Sequence, residues 1–303
     1  AQGSTITLGA RTFAISYTGG DGNDVTLTLT AVTNAPPVNT VPGAQTTNED
    51  TPLAFTGPAL VSVADPDAGT NAIRTTVSIP TGRGTLSVTA VPGLTVTGSG
   101  TNSVQLDGTA AAINAGLTSL VYTPSADGNS TTYGGTVTLT VLTTDLGNTG
   151  SDGAKTDSDT VAIAVTPVND DPSLTLPTPI VTVNEDAGPQ SLAGFAANLL
   201  RGPATATDET GQTLAFTVAV IGTTGTLAFT SAPAISPTGV LTFTAAPDTN
   251  GTATVTVFVT DSAGGVSATL GFQIVVTAVN DAPAFALPLG NPPTVTEDAG
   301  PQP

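Results

Sequence analysis

Apolar and polar residues alternate with a period of two along most of the 303-residue chain, and the alternating runs are short. Such runs predict half-buried β-strands, one face packed on a core and the other in water. They fall at 5–8, 12–17 and 24–29. They resume at 60–63, 74–79, 84–88, 119–123 and 136–141, and again at 180–183, 214–220, 225–229, 240–243, 253–259 and 270–275. Turn residues separate them at the spacing of two-sheet sandwiches. The one helical candidate, 109–117, is short and contains Gly116, and it reads as a decoration on the strand framework.

Three stretches punctuate the alternation. Val168-Asn169-Asp170-Asp171-Pro172 returns as Val279-Asn280-Asp281-Ala282-Pro283 and, more loosely, as Thr33-Asn34-Ala35-Pro36-Pro37. We call these joints 2, 3 and 1. Each is followed about a dozen residues later by an acidic pair: Glu49-Asp50, Glu185-Asp186 and Glu297-Asp298. Glu185-Asp186-Ala187-Gly188-Pro189-Gln190 is repeated without change from Glu297 to Gln302. The chain is therefore a tandem repeat with acidic joints. The predicted domains are 1–33, terminal strands of a preceding β domain; 34–168 and 169–279, two complete sandwiches; and 280–303, the start of a further repeat.

Charge changes the picture more than hydrophobicity does. There are 23 acidic and 5 basic residues, a net charge of −18. A surface of that sign repels nucleic acid and anionic lipid and attracts cations. Cys, His, Met and Trp are absent. That removes disulfides, thiolate and imidazole metal ligands, and any imidazole-activated nucleophile. No phosphate-binding or dinucleotide glycine pattern is present, aromatic residues are only 4% of the chain, and no aromatic platform for a carbohydrate is visible. The expectation is that the chain is not an enzyme.

The acids that remain are oxygen donors at predicted strand ends. A fold that gathers Glu49, Asp170, Asp208 and Asp261 sets like charges together and needs a hard cation to hold them. The alternative is that they are solubilising turn residues. For Asp152, Asp157 and Asp159 that alternative is preferred. The turn Gly19-Gly20-Asp21-Gly22-Asn23-Asp24 resembles one copy of the glycine-aspartate nonapeptide of calcium-binding β-rolls. A single copy has no neighbour to share an ion with, so a plain hairpin turn is expected.

Ala64-Asp65-Pro66-Asp67-Ala68-Gly69-Thr70-Asn71 resembles the calcium loop of cadherins. The joints resemble the Asn-Asp linkers of the cadherin-like repeats of large bacterial adhesins. The resemblance covers about residues 34–303 and implies an all-β fold: tandem Ig-like, cadherin-like β-sandwich domains in a linear array. It implies Ca2+ at the joints. Joint 2 would use Glu49, Asp127, Asn169, Asp170, Asp208 and Asp261, and joint 3 would use Glu185, Asp248, Asn280 and Asp281. Joint 1 would use Asp65, Asp67, Asn71 and Asp145, but has Ala35 and Pro36 where the other joints carry aspartate. The second repeat also departs from the pattern, with Asp208-Glu209-Thr210 in place of Asp-x-Asp.

The function expected is a structural module of an extracellular filament or adhesin stalk, with calcium-rigidified joints. The alternative is an adhesion module that binds a glycan or protein. Expected partners are neighbouring repeats or like subunits in a linear assembly, with no nucleic acid and no membrane insertion in this segment. The expected location is the cell surface. The incomplete repeats at the two ends fit a longer covalent array, with head-to-tail strand complementation between chains as the second possibility.

Overall fold

A computed structural model describes residues 2–19, 21–22, 24–150, 152–283 and 285. The predicted start of a further repeat beyond Phe285, with Glu297 and Asp298, lies outside the described residues. The protein is all-β. Its chain divides into two compact units. The first holds 1–174 together with 198–215 and 259–268; the second holds 175–197, 216–258 and 269–303. The acidic loops that meet joint 2 are therefore all in the first unit, and those that meet joint 3 are all in the second.

The first unit opens with a three-stranded antiparallel meander, Thr5–Leu8, Arg11–Gly19 and Asp24–Val32. Its pairing sets Ile6, Phe13 and Leu29 in one row and Ile15 beside Leu27. Val25, Leu27 and Leu29 remain about half exposed or more. The glycine-aspartate turn closes through Gly22 N–H to the Gly19 carbonyl (2.9 Å), as a hairpin turn does.

The same unit contains a sandwich. One sheet has six strands, in the order Leu94–Thr97, Ser103–Gly108, Ile73–Ser78, Val137–Thr144, Thr156–Thr166, Gln45–Asn48. The other has three, Leu53–Ala54, Val121–Thr123 and Thr85–Ser87. Val77, Leu106, Leu139 and Ile163 from the first sheet and Leu86 and Tyr122 from the second fill one core. Burial alternates strictly along Ile73–Ser78 and Ser103–Gly108, the expected consequence of the period-two pattern.

The helix Ala110–Leu117 is a correction to its reading as a decoration. Thr109 caps it by accepting from Ala112 N–H. Ile113 and Leu117 are fully buried in the sandwich core. Gly116 is required there, since a Cβ would lie 2.3 Å from Leu94 Cδ2. Alanine-rich composition hides this role, because the two large apolar residues are only four apart and leave no longer periodic stripe.

The second unit repeats the plan with fewer residues. Its larger sheet runs Ile180–Asn184, Leu270–Thr277, Gly251–Asp261, Leu214–Thr223, and its smaller one runs Gln190–Leu192, Leu241–Ala245, Phe229–Ile235. Phe195 meets Phe272 edge-on at 4.8 Å, and Phe229 meets Phe243 at 6.0 Å. The strand predicted at 225–229 starts only at Phe229. Gly225 turns the chain with φ +66°, and a Cβ there would lie 2.4 Å from the Asn250 carbonyl.

One feature recurs in both sandwiches and positions the joints. An early strand returns to pair in parallel with the last strand: Gln45–Asn48 against 163–166 and Ile180–Asn184 against 273–277. The acidic pair that follows the early strand is thereby carried to the joint that follows the last one. Leu117→Ala is expected to cost about 2–5 kcal/mol in urea unfolding. Ala111→Ser, on the exposed side of the same helix, is expected to cost no more than about 0.5 kcal/mol. Equal, small effects would return the helix to a surface role.

Candidate metal centres at the acidic joints

At joint 2 the parallel return places Glu49 beside the linker. Its amide donates to the Thr166 carbonyl (3.0 Å), and its buried carboxylate accepts from Val168 N–H (2.5 Å) and from Asn129 Nδ2 (2.8 Å). Joint 3 is built the same way. Glu185 N–H donates to Thr277 O (2.9 Å), and its carboxylate accepts from Val279 N–H (2.6 Å) and Asn250 Nδ2 (3.3 Å). Glu49 and Glu185 are 3% and 6% exposed, so each is a clamp on the backbone as well as an oxygen donor.

Beside each clamp sits a triad of aspartates. Asp50, Asp127 and Asp170 offer carboxylate oxygens all within 4.8 Å of one another, and so do Asp186, Asp248 and Asp281. Four of the six have positive φ: Asp50 (55°), Asp127 (51°), Asp186 (60°) and Asp248 (55°). A left-handed backbone costs a non-glycine residue energy, and its recurrence at matching positions marks a shape required twice. The pairs are locked alike. Asp127 N–H donates to Asp50 Oδ1 (3.0 Å), and Asp248 N–H donates to Asp186 Oδ1 (3.1 Å).

Joint 2 carries more acid than joint 3. Asp208 accepts from Asn129 Nδ2 (2.9 Å), and Asp261 accepts from Asn169 Nδ2 (3.1 Å) and from the amides of Ala263, Gly264 and Gly265. Glu209 is buried and accepts from the Gln212 side chain, and Thr205 donates to Asp127. Asp208 Oδ1 and Gln212 Oε1 are buried with no hydrogen-bond partner.

Among the described residues no base forms an ion pair with these carboxylates. Among the described residues the ion pairs are Arg74–Asp107 and Lys155–Asp152, and Arg201 gives its Nε–H to the main-chain carbonyl of Gln212. Burial and then the charges of Asp127, Glu49, Asp50 and Glu209 push Asp170 up to about 6. Burial also raises Glu209, with Asp208, Asp261 and Glu49 adding to it. At joint 3 burial and then Asp248, Asp186 and Glu185 raise Asp281. Burial pushes Asp261 the other way from its hydrogen bonds, and the bonds from Asn169, Gly265, Ala263 and Gly264 win, leaving it below its ordinary value.

The donor set fits a hard divalent cation. All the donors are oxygens, and two ligand oxygens about 2.4 Å from one ion are separated by at most about 4.8 Å. The buried, partnerless oxygens at joint 2 point the same way.

The residues singled out in the sequence fare differently. Glu49, Asp127, Asn169, Asp170, Asp208 and Asp261 share the surroundings of joint 2. Glu185, Asp248 and Asp281 share those of joint 3, whereas Asn280 is exposed and turns its amide to the Asp281 carbonyl (3.2 Å). At joint 1, Asp65 Oδ1 accepts from the amides of Asp67 and Ala68, and Asp67 Oδ2 accepts from Ala35 N–H (3.0 Å). Asp65 Oδ2 and Asp67 Oδ1 are buried and partnerless. Asp145 accepts from Asn34 Nδ2, Gly147 N–H and Lys155 N–H, and Asn71 is exposed. Among the described residues no group of three carboxylates forms at joint 1.

Sequence reasoning missed Asp50 and Asp186, although it noted the Glu-Asp pairs, and also Glu209 and Gln212. It missed Asn129 and Asn250 too. The recurring Asp-x-Asn at 127–129 and 248–250 was the available signal.

No protein-family model and no curated protein sequence matches this chain. Among solved structures, the protocadherin GammaB4 extracellular domain aligns with 15% identity and a TM-score of 0.36, over 88% of this chain and 38% of its own length. Mouse cadherin-23 EC22-24 aligns at 15% and 0.36, over 81% of this chain and 67% of its own. A titin I67-I69 fragment aligns at 12% and 0.26, over 80% and 66%. Scores at that level do not bear on function. Among the described residues no helix is long and apolar enough to cross a membrane.

A raised carboxyl pKa has a definite sign in stability. Between its ordinary value of 3.8 and about 6, the folded protein holds a proton on Asp170 that the unfolded chain releases. In chelator, the melting temperature is therefore expected to fall as pH rises from about 4 through 6. In Asp170→Asn that fall is expected to shrink, and an unchanged profile would remove Asp170 from the coupled cluster.

Proposed function

We propose that the chain is a structural segment of an extracellular filament or adhesin stalk, in which calcium stiffens joints 2 and 3 between the sandwich repeats 34–168 and 169–279 and their neighbours. The observation that carries this reading is the duplicated centre: the same glutamate clamp, the same left-handed aspartates and the same carboxylate triad at both joints.

Calcium takes six to eight oxygens from carboxylates, amides and carbonyls in flexible geometry. At joint 2 the Asp50, Asp127 and Asp170 carboxylates would hold it, with Glu49 contributing from its clamped position. Asp208, Asp261, Asn169, Glu209 and Gln212 extend the oxygen surface. At joint 3 Asp186, Asp248 and Asp281 would hold it beside Glu185. What the ion supplies is positive charge. The residues supply direction, since Asp50 and Asp127 come from the turns of one repeat and Asp170 comes from the linker. Binding therefore fixes the linker to the repeat above it. Weak extracellular modules bind calcium in the range of about 10⁻⁴–10⁻³ M. The three exposed aspartates of joint 3 suit that range, and at joint 2 Asp127 is buried and Asp170 part-buried.

An ion bound only when the loops converge stabilises by mass action, by about 2.7 kcal/mol at a hundredfold excess over Kd. Calcium is accordingly expected to raise the melting temperature by several degrees and to narrow the distribution of solution dimensions in small-angle scattering. Identical melts and identical scattering with calcium and with chelator would refute the reading. In calorimetric titration, Asp170→Ala is expected to remove joint 2 binding while leaving that of joint 3, and Ala35→Ser is expected to change neither. Equal losses in the two variants would break the residue assignment.

A further inference from the structure

Joint 1 lacks the duplicated centre, yet its asparagine is the most enclosed of the three. Asn34 is 3% exposed, while Asn169 and Asn280 are exposed. The enclosure comes from the hairpin connection 145–155, which leads from the strand Val137–Thr144 into Thr156–Thr166.

This loop takes up every polar group that Asn34 offers toward it. Asp152 Oδ1 accepts from Asn34 N–H (2.7 Å), and Gly153 O and Asp145 Oδ2 accept from Asn34 Nδ2 (2.8 and 2.7 Å). The Thr149 hydroxyl donates to Asn34 Oδ1 (2.8 Å). Gly150 lies so close that a Cβ would be 2.5 Å from Asn34 N and 2.7 Å from Val32 O, and its φ is +75°. A little further along, Asp157 Oδ2 accepts from Asn39 N–H (2.6 Å). Asp152 and Asp157 are thus structural, against their reading as solubilising loop residues.

Joint 1 also differs in having a base among its acids. Lys155, the chain's single lysine, sets Nζ 2.9 Å from Asp152 Oδ2. The Asn34 amide and then Lys155 hold Asp152 below its ordinary value. Joint 1 has Ala35 where joints 2 and 3 have Asp170 and Asp281, so its linker adds no negative charge. At joint 2 the corresponding connection closes early, with Asp261 N–H on the Gly265 carbonyl (3.1 Å), and touches the linker mainly through Asp261–Asn169 and Val266 N–H to Asp171 (3.1 Å).

We infer that the loop 145–155, through its residues 145–150 and 152–155, is a clasp that fastens joint 1 to the strand Asp24–Val32 by contacts to Asn34 and Val32 that need no cation, whether or not the partnerless oxygens of Asp65 and Asp67 hold one. The array then carries two kinds of joint. The clasped one keeps its stiffness when calcium falls, and the acidic ones loosen.

The chain has no cysteine, so pairs of spin labels can be introduced without background. Thr26→Cys with Thr138→Cys spans joint 1, and Thr138→Cys with Thr254→Cys spans joint 2. In chelator the joint 1 distance distribution is expected to stay as narrow as in calcium. Asp152→Ala is expected to broaden it at least twofold in both media. Asp152→Asn, which keeps the acceptor for Asn34 N–H but loses the charge facing Lys155, is expected to broaden it less. Circular dichroism separates these effects from misfolding.

Broadening of joint 1 in chelator to the extent seen at joint 2, or no response to Asp152→Ala in a folded variant, would overturn the clasp. A joint 2 distribution indifferent to chelator would instead count against calcium at the acidic joints, leaving the clasp standing.

Discussion

The constraint on which the joints depend is repulsion between carboxylates with which, among the described residues, no base forms an ion pair. Around joint 2, Glu49, Asp50, Asp127, Asp170, Asp208, Glu209 and Asp261 are drawn together by backbone pairing and loop hydrogen bonds. The folded sandwiches themselves do not need this concentration of charge, since their cores are filled by alternating aliphatic residues. The raised pKa of Asp170 is the signature of the conflict. A proton relieves it partly, and a divalent cation relieves it with several oxygens at once.

The conflict is delivered to the joint by ordinary sheet geometry. A parallel early strand must end where the last strand ends, so the Glu-Asp pair arrives beside the linker whatever the loops elsewhere do. The glutamate then accepts the linker's own amide, at Val168 and at Val279, which ties the position of the acids to the direction in which the chain leaves the sandwich. Left-handed aspartates complete the turn. They hold strained backbone in a place where the side chains are aimed at one another, so the strain and the charge are settled by the same event.

Joint 1 answers the same structural problem with different chemistry. Beside Asp65 and Asp67, it gathers donors for its other acids: two groups on Asn34, the Thr149 hydroxyl, backbone amides on Asp145 and the one lysine. Carboxylates that accept hydrogen bonds or face a cation are stabilised in their charged form, so Asp152 adds no repulsion. A longer hairpin connection supplied the reach, and Gly150 supplied the close approach.

Local pattern was enough to determine the all-β class and most strand positions, because a period of two is written in consecutive residues. Glu49, Asp170, Asp208 and Asp261 could be named as oxygen donors at predicted strand ends, while Asp127, Glu185, Asp248 and Asp281 are named only by what the resemblance to cadherin-like repeats implies. Other features were decided only by the tertiary structure. The burial of Ile113 and Leu117, the positive φ of Asp50 and Asp186, and the orphaned oxygens of Asp208 and Gln212 depend on residues far away in the chain. So does the role of Asp152, which the sequence leaves looking like any solvated turn acid until the loop 145–155 is seen against Asn34, more than a hundred residues earlier. Periodicity reports which face of an element is apolar; it carries no information about which distant loop closes over it.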